Sequence, residues 1–450
     1  MLRKTKLTSI ALAVAMSIGI SSVAIAQETS SSIGGTVLSQ NGQSVSNATV
    51  TITDTRTGAV KVISTNETGR YNLRGMRVGG PYTVEVMDQA GNKIVEQGVF
   101  LNLGETKSLN LDLGAQEEES LETITVSGRV TNATYGSSGP VANFGLADLE
   151  SAPAINRDIK DLVRIDPRIY IDEAGGDGIQ CAGANSRFNS LTVDGIRTND
   201  NFGLNSNGYP TIRIPFSYDS IDQVAVELAP FDVQYGGFTA CNINAVTKSG
   251  TNEWHGGAFF DYTNDSLRGD ELEGDKLTVG KFNEKRFGFN VGGALINDKL
   301  FFFGSYEKLE GATLFDRGAA DSNQAVQVAG VSQAQLDRIE QIANDIYGYD
   351  PGAFTTSIPV EDEKIMLKLD WQINADHRAS LVYNYNDGNT IRESDGDSDE
   401  YEFSNHYYEQ GGKLESYVGS VYSDWSDNFS TELRIGTSDY DANVMPLGGT

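Results

Sequence analysis

The stretch EKIMLKLDWQI, residues 363–373, decides the fold because its side chains alternate between two kinds. Successive side chains of a β-strand point to opposite faces, so one face of this strand would carry a row of large apolar groups. These are Ile365, Leu367, Leu369, Trp371 and Ile373. The other face would carry Met366, Lys368, Asp370 and Gln372. An apolar face of this length opposite a charged one fits a strand with lipid outside and water inside.

Neighbouring segments repeat the alternation less strictly, and their connections have two lengths. The connections at 297–299, 374–376 and 426–428 are tight polar turns, whereas those at 264–283, 310–362 and 388–411 are long and polar. Short turns on one side and long loops on the other are typical of an outer-membrane β-barrel. We therefore expect residues 253–450 to form antiparallel strands of an outer-membrane β-barrel. The alternative is a soluble β-sandwich, whose strands are usually shorter.

The charge balance and the N-terminus constrain where the protein acts. Its 450 residues carry 34 Lys and Arg against 62 Asp and Glu, a formal net charge of −28. Such a surface repels polyanions and excludes nucleic-acid binding through a basic face. Residues 1–26 combine a basic start, an apolar middle and the small-residue pattern Ala24-Ile25-Ala26, which predicts a cleaved signal peptide. The alternative, a membrane-spanning helix, needs roughly 20 apolar residues, and this run is shorter.

Residues 27–113 alternate apolar and polar side chains between closely spaced turn signals. Short strands at such spacing predict a small antiparallel β-sandwich. The segment GTVLSQNGQSVSNATVTITDTRTG, residues 35–58, resembles the carboxypeptidase regulatory-like domain, which has a prealbumin-like fold. The resemblance implies an accessory β-sandwich and says little about chemistry.

Residues 141–252 change to a mixed α/β pattern. PAINRDIKDLVRIDPRI, residues 153–169, repeats apolar residues such as Ile155 and Ile159 on one helical face, which predicts a helix ending near Pro167. Farther along, SLTVDGIRTND predicts two strands joined by a turn at Asp194-Gly195.

The same region contains the only two cysteines of the sequence, Cys181 and Cys241. An exported protein lies in an oxidising setting, so we expect a disulfide between them. A disulfide that closes the loop of about sixty residues between them would stabilise the fold by roughly 4 kcal/mol, because it lowers the chain entropy of the unfolded state. The alternative is two free buried thiols.

Residues 114–140 form a linker of acidic and small polar residues around LETITVSG, residues 121–128. Such a composition buries too little apolar surface to offset the entropy of ordering, so we expect disorder. The β-branched residues inside it could still add a strand to a partner's sheet. The alternative is a terminal strand of the preceding sandwich.

The order of these segments resembles a TonB-dependent outer-membrane receptor. ETITVS, residues 122–127, looks like a TonB box, and RDIKDLVRIDPRI with SLTVDGIRTND is similar to the start and middle of a plug domain. IDQVAVELAPFDVQYGGFTACNINAVTKSGTNEWHG, residues 221–256, resembles the end of the plug and the first barrel strand, most closely in the Oar-like branch. This last match is the longest and most specific.

The resemblance implies a receptor in the outer membrane of a Gram-negative cell, with a periplasmic N-terminal domain. It would bind an unknown extracellular ligand and import it with energy that TonB delivers to the plug, residues 141–252. The implied TonB-binding residues are Glu122, Thr123, Ile124, Thr125, Val126 and Ser127. An outer-membrane adhesin or surface-assembly protein on the same scaffold is the alternative function.

The sequence departs from the family in two places. Ala240-Cys241-Asn242 stands where the family commonly has two or three glycines. About seven barrel strands can be counted, whereas the family closes its barrel with twenty-two. The interior of an eight-stranded barrel is filled by its own side chains, so a small barrel could not enclose a plug. We therefore expect residues 253–450 to be the start of a large antiparallel transmembrane β-barrel that belongs to a longer protein.

No pattern for catalysis, a cofactor or a resident metal is found. The three histidines, His255, His377 and His406, form no zinc-binding motif. Asp395, Asp397 and Asp399 in the acidic stretch 392–403 raise calcium as a possibility, but the later glutamate of an EF-hand is missing. A solvated outer loop is the simpler interpretation. Residues 331–347 predict an amphipathic helix within a long loop, with Ser332 and Gln335 as its capping box.

Overall fold

The computed structural model describes most of the chain after the first 27 residues. It covers residues 28–114 and 140–448, except 153, 155, 174–175, 201–202, 204, 231–235, 278–279, 316, 353–356, 396–399 and 427–428. The predicted signal peptide, the TonB box at 122–127, Ile155, Asp397 and Asp399 therefore lie outside the described residues.

The N-terminal strands build a two-layer β-sandwich, here called the sandwich. Its strands are β1 (Ser31–Leu38), β2 (Thr49–Asp54), β3 (Val60–Ser64), β4 (Arg70–Met76), β5 (Gly79–Met87), β6 (Lys93–Leu101), β7 (Thr106–Ser108) and β8 (Leu111–Asp112). One sheet has the order β4-β1-β7 with β8 also on β1, and the other has the order β3-β2-β5-β6. Alternate apolar residues such as Val50, Ile52, Val84 and Val86 point between the sheets, where they are at most 1% exposed.

The next part, here called the central module, is a five-stranded mixed sheet with two short helices and a hairpin. Its elements are β9 (Val141–Phe144), α1 (Leu146–Ser151), α2 (Ile159–Val163), β10 (Ile169–Asp172), β11 (Gly178–Cys181), β12 (Ser190–Val193), β13 (Ile196–Arg197), β14 (Ile221–Leu228) and β15 (Cys241–Thr247), with 3₁₀ turns at Ser186–Phe188 and Tyr218–Ser220. The sheet order is β13-β12-β15-β14-β9. Every residue of the central strand β15 is buried.

Helix α2 is shorter than the sequence predicts. The side chain of Asp158 caps its first turn by accepting a hydrogen bond from Lys160 N, and the helix ends after Val163, before Pro167. Ile159, Leu162 and Val163 are fully buried, so the predicted apolar face is real. The predicted end is wrong because the chain after Val163 forms tight turns, with hydrogen bonds from Ile165 N to Leu162 O and from Asp166 N to Val163 O.

Seven long strands form one antiparallel sheet, here called the barrel sheet. They are β16 (His255–Asn264), β19 (Asn283–Ile296), β20 (Leu300–Leu314), β23 (Ser357–Gln372), β24 (His377–Arg392), β25 (Tyr408–Ser426) and β26 (Phe429–Pro446). They pair in that order, and among the described residues the sheet stays open, with β16 and β26 as its edges. In the described part of the chain, no helix combines the length and the apolar character needed to cross a membrane.

The alternation predicted for residues 363–373 is confirmed. Met366, Lys368 and Asp370 are 1%, 6% and 6% exposed, whereas Leu367 and Trp371 on the opposite face are 43% and 52% exposed. The central module covers the inner face, and the apolar face points away from it.

The connections include further small elements and one helix. These are β17 (Glu271–Leu272), β18 (Asp275–Lys276), β21 (Arg317–Ala319), β22 (Val326–Val328), α3 (Gln333–Tyr347), and 3₁₀ turns at Asp265–Leu267 and Ser404–His406. Ser332 and Gln335 form the predicted capping box of α3, which confirms that helix. Only Leu336 of α3 is buried.

The loop boundaries predicted at the long-loop end of the barrel sheet are wrong. Strand β20 continues to Leu314, and β24 continues to Arg392. The outward face of the β20 extension carries Glu310, which lies opposite Glu361 of β23, so the hydrophobic period stops while the hydrogen-bond ladder continues. A pattern search for amphipathic strands therefore ends them too early.

Candidate functional site

The central module is held against the inner face of the barrel sheet by a buried lysine. Lys368 Nζ in β23 donates to Thr247 O at 2.9 Å and lies 3.2 Å from Thr247 Oγ1. It also lies 3.6 Å from Asp194 Oδ1. Lys368 and Asp194 are only 6% and 7% exposed, so the ion pair is shielded from solvent.

The backbone places Asp194 for this contact. Asp194 and Gly195 both have positive φ, 47° and 77°, which suits the tight turn between β12 and β13. The Asp194 carboxylate accepts hydrogen bonds from Thr247 N at 3.1 Å and from Thr247 Oγ1 at 2.7 Å. A turn predicted from the sequence as local structure thus presents an acid to the barrel sheet.

A second polar contact lies nearer the long-loop end. Ser217 Oγ of the central module donates to Glu307 Oε2 in β20 at 3.0 Å. Lys364 Nζ lies 3.6 Å from Glu307 Oε1. Arg157 of the central module pairs with Asp219 at 2.6 Å and lies 3.8 Å from Glu307. Glu307 therefore meets a hydroxyl group and two cations at this junction, and these contacts are polar.

Among the described residues, the buried apolar cluster on the inner face of the barrel sheet takes in one side chain of the module. Ile196, next to the Asp194 turn, packs against the cluster of Phe303, Met366, Val382 and Val418. A Cβ at Gly436 would lie 2.6 Å from Ile196 Cδ1, so the close approach depends on glycine there. Most of the junction is therefore polar.

The outer cavity lies between the central module and the long-loop half of the barrel sheet. Its volume is about 660 Å³. It is lined by the cations Lys160, Arg164, Arg213, Arg286, Lys364 and Arg392 and by the acids Asp158, Asp161, Glu173 and Asp177. Six cations and four acids line this wall, and two of the cations also pair with acids outside it, Lys364 with Asp362 and Arg286 with Glu284.

The inner cavity, of about 750 Å³, lies on the other side of the module and is also walled by the sandwich. Arg56 and Arg77 of the sandwich, Asp222 of the module and Asp370 and Arg378 of the barrel sheet line it. Burial raises the pKa of Asp222, and the nearby cations, led by Arg56, only partly offset that rise.

The structure joins Cys181, at the end of β11, to Cys241, at the start of β15, by a disulfide. Both cysteines are buried, at 1% and 0% exposure. The bond ties the β10–β11 hairpin to the central strand of the module sheet. The alternative of two free thiols does not describe this structure.

The histidines considered from the sequence lie at separate places in the described part of the chain. His255 and His377 begin strands β16 and β24 near the short turns, and the His377 ring packs at a tilt of 54° against Trp425, with 4.9 Å between the ring centroids. Within the described ranges, no group of three or more His, Cys, Asp or Glu could hold a metal ion.

Sequence reasoning missed the contacts of Lys368, Glu307 and Arg157. The available signal was the presence of Lys and Glu on the inner face of amphipathic strands. Their partners were not predictable, because Thr247 and Lys368 are 121 positions apart.

Two family models match parts of the chain. Residues 32–114 match the carboxypeptidase regulatory-like domain, and residues 246–327 match an outer membrane beta barrel domain. A curated relative, the TonB-dependent transporter Oar of Myxococcus xanthus, is 26% identical over 381 residues, which is 81% of this chain and 34% of Oar. The chain thus spans about a third of the length of that relative.

Solved structures of outer-membrane proteins are also similar. The transporter YddB of Escherichia coli is 12% identical, with a TM-score of 0.48 over 66% of this chain and 38% of that chain. The siderophore receptor PirA of Acinetobacter baumannii is 20% identical, with a TM-score of 0.45 over 68% of this chain and 40% of that chain. At these scores the likeness carries no argument about function.

The chain is a mainly β outer-membrane protein that contains a carboxypeptidase regulatory-like domain and is similar in sequence to a TonB-dependent transporter. That relative is a transporter and not an enzyme.

Proposed function

We propose that this protein is a TonB-dependent outer-membrane receptor that binds an extracellular ligand and imports it, and that the central module is its plug. The observation that carries the proposal is the docking of the module on the inner face of the barrel sheet through Lys368, Thr247 and Asp194. A polar junction can exchange its partners for water when it opens, whereas an apolar one would expose surface at a large cost.

The two cavities fit this role because they lie on opposite sides of the module. The outer cavity faces the long-loop end, where a ligand would arrive, and the inner cavity faces the short-turn end. The ligand class and the residues that contact it belong to the proposal, and the charged wall of the outer cavity favours a polar ligand.

TonB is the proposed source of energy, and residues 122–127 are its proposed binding segment. Thr123, Ile124, Thr125 and Val126 suit addition of a strand to the edge of a partner's sheet, where main-chain hydrogen bonds provide the affinity. The acidic and polar flanks would keep this segment solvated and within reach of the periplasm.

The test compares deletion of residues 122–127 with deletion of residues 131–136 in the same linker. We expect the first variant to lose binding to the purified periplasmic domain of TonB in calorimetry, and the second to keep it. In cells, the first deletion should also abolish energised uptake in a nutrient screen while leaving surface binding intact. TonB binding or uptake that survives deletion of 122–127 would contradict the proposal.

A second candidate, a surface adhesin or assembly protein, is favoured by one observation. Helix α3 lies in a long loop and exposes Ile346 and Tyr347, which are 70% and 77% exposed. Exposed apolar side chains of this kind suit contact with another surface. Cell attachment that is lost on Ile346→Ser/Tyr347→Ser but unaffected by deletion of 122–127 would support this candidate.

A further inference from the structure

The sandwich is docked on the short-turn end of the barrel sheet and on the central module at once. Arg56 O of the sandwich accepts a hydrogen bond from Asn252 N at 2.8 Å. Asn252 in turn exchanges hydrogen bonds with Asp298 in the turn between β19 and β20, at 2.7 and 2.8 Å. This position lies at the side of the membrane opposite to the long loops.

The contact between sandwich and central module has a small apolar core and a hydrogen-bonded edge. Val78 and Leu103 of the sandwich pack against Ala225 and Val246 of the module, and all four are at most 7% exposed. Gln223 of the module accepts from Leu103 N at 2.9 Å and donates to Leu101 O at 3.1 Å. The Gln223 side-chain amide thus both accepts a hydrogen bond from the sandwich backbone and donates one to it.

The contact between sandwich and barrel sheet is made of charged groups. Arg77 pairs with Asp370 in β23 at 2.9 Å, and their side chains are 17% and 8% exposed. Arg378 at the start of β24 donates to Gly75 O at 2.9 Å. Lys61 forms an ion pair with Asp424 near the end of β25. These three contacts reach three different barrel strands beside short turns.

These contacts place the sandwich in the wall of the inner cavity on its short-turn side. Arg56 and Arg77 form part of its wall, so a ligand leaving the cavity in that direction would meet the sandwich. Among the described residues, the buried apolar part of the contact consists of four side chains and the other contacts are polar, so separation of the sandwich would expose little apolar surface.

The proposed TonB-binding segment lies in the chain between the last sandwich strand, which ends at Asp112, and the first module strand, which begins at Val141. A pull on residues 122–127 would therefore act on two docked bodies, the sandwich on one side and the module on the other. About ten residues separate the end of the sandwich at Asp112 from the start of the segment at Glu122, and they span roughly 30–35 Å when extended. The pull would therefore reach the sandwich before the module.

We infer that the sandwich is a second, periplasmic gate: its docked position closes the inner cavity, and transport requires that it undock from the module and the barrel sheet. This inference rests on the proposed function. It assigns the carboxypeptidase regulatory-like domain a role in the permeability barrier, beyond that of an accessory.

The experiment measures the exposure of the sandwich–module contact in cells. Ala225→Cys places a thiol in that contact, and Ala245→Cys places one in the core of the module, away from the sandwich; both alanines are 1% exposed. The native cysteines are joined in the disulfide, so the new thiol alone should react with a maleimide that enters the periplasm.

We expect Ala225→Cys to be labelled at least tenfold faster in energised cells than after deletion of residues 122–127, while Ala245→Cys stays unlabelled in both. Arg77→Met should speed labelling of Ala225→Cys even without residues 122–127, because it removes a contact that holds the gate closed. This second variant shows that a protected thiol reports docking.

Suppose that Ala225→Cys stays unlabelled in energised cells, while deletion of residues 122–127 still abolishes TonB binding and uptake. This result would overturn the gate and leave the proposed function standing. Equal labelling of Ala225→Cys and Ala245→Cys would also overturn it, since the whole module would then open instead of the sandwich contact.

Discussion

Replacement of Lys368 by methionine should loosen the central module in the barrel sheet. Methionine keeps most of the aliphatic stem but removes the charge that reaches Thr247 and Asp194. At 3.6 Å and an effective dielectric constant near 20, the Lys368–Asp194 attraction alone is about 5 kcal/mol before desolvation is subtracted. Removing one partner of a buried pair typically costs 3–5 kcal/mol.

We expect the lower end of that range, about 3 kcal/mol, because Asp194 keeps its two hydrogen bonds from Thr247. Since about 1.4 kcal/mol corresponds to a tenfold change, the protection of the Val246 and Thr247 amides against hydrogen exchange should fall by about two orders of magnitude. The measurement uses the protein in detergent micelles with mass-spectrometric detection.

The matched control is Lys308→Met on the neighbouring strand. Lys308 pairs with Glu361 at 3.1 Å on the outward face, where Glu361 is 65% exposed. An exposed pair of this kind contributes about 1 kcal/mol or less. Asp194→Asn and the Lys368→Met/Asp194→Asn double variant complete the cycle, and the double variant should cost clearly less than the sum of the single ones. Equal losses for the two lysine variants, or strict additivity in the cycle, would refute the reasoning.

Two further predictions concern the disulfide and a buried acid. Cys181→Ala/Cys241→Ala should destabilise the central module by up to about 4 kcal/mol. The measurement is the urea concentration at which β11 and β15 lose half of their protection against hydrogen exchange, and this midpoint should fall. An unchanged midpoint would exclude an entropic role for the bond. Asp222→Asn should increase exchange protection around β14 at pH 7 and not at about pH 3. Burial raises the folded-state pKa of Asp222, and the nearby cations, led by Arg56, only partly offset this rise. The protonated side chain therefore stabilises the fold fully below about pH 4, and this stabilisation is lost as the pH rises through the folded-state pKa. A gain from Asp222→Asn that is equal at both pH values would contradict this assignment.

Several elements could be predicted because their signals are local. The two faces of residues 363–373 follow from a period of two, and helix α3 follows from its capping box and apolar spacing. Helix α2 was predicted too long: its apolar face is a local signal, but the pattern does not show that the chain leaves the helix in tight turns after Val163. Strand ends near Leu314 and Arg392 were missed because backbone pairing continues after the apolar period stops.

The amino-acid sequence by itself determined which side chains of residues 363–373 share the outward face and which share the inward face, because alternation needs only neighbours along one strand. The tertiary structure alone decided that the inward Lys368 meets Thr247 and Asp194, that Glu307 meets Ser217, and that Arg77 of the sandwich meets Asp370. These partners lie many tens to hundreds of residues apart, and a charged side chain carries no local mark of its partner. Only the packing of three separate sheets brings them within a few ångströms.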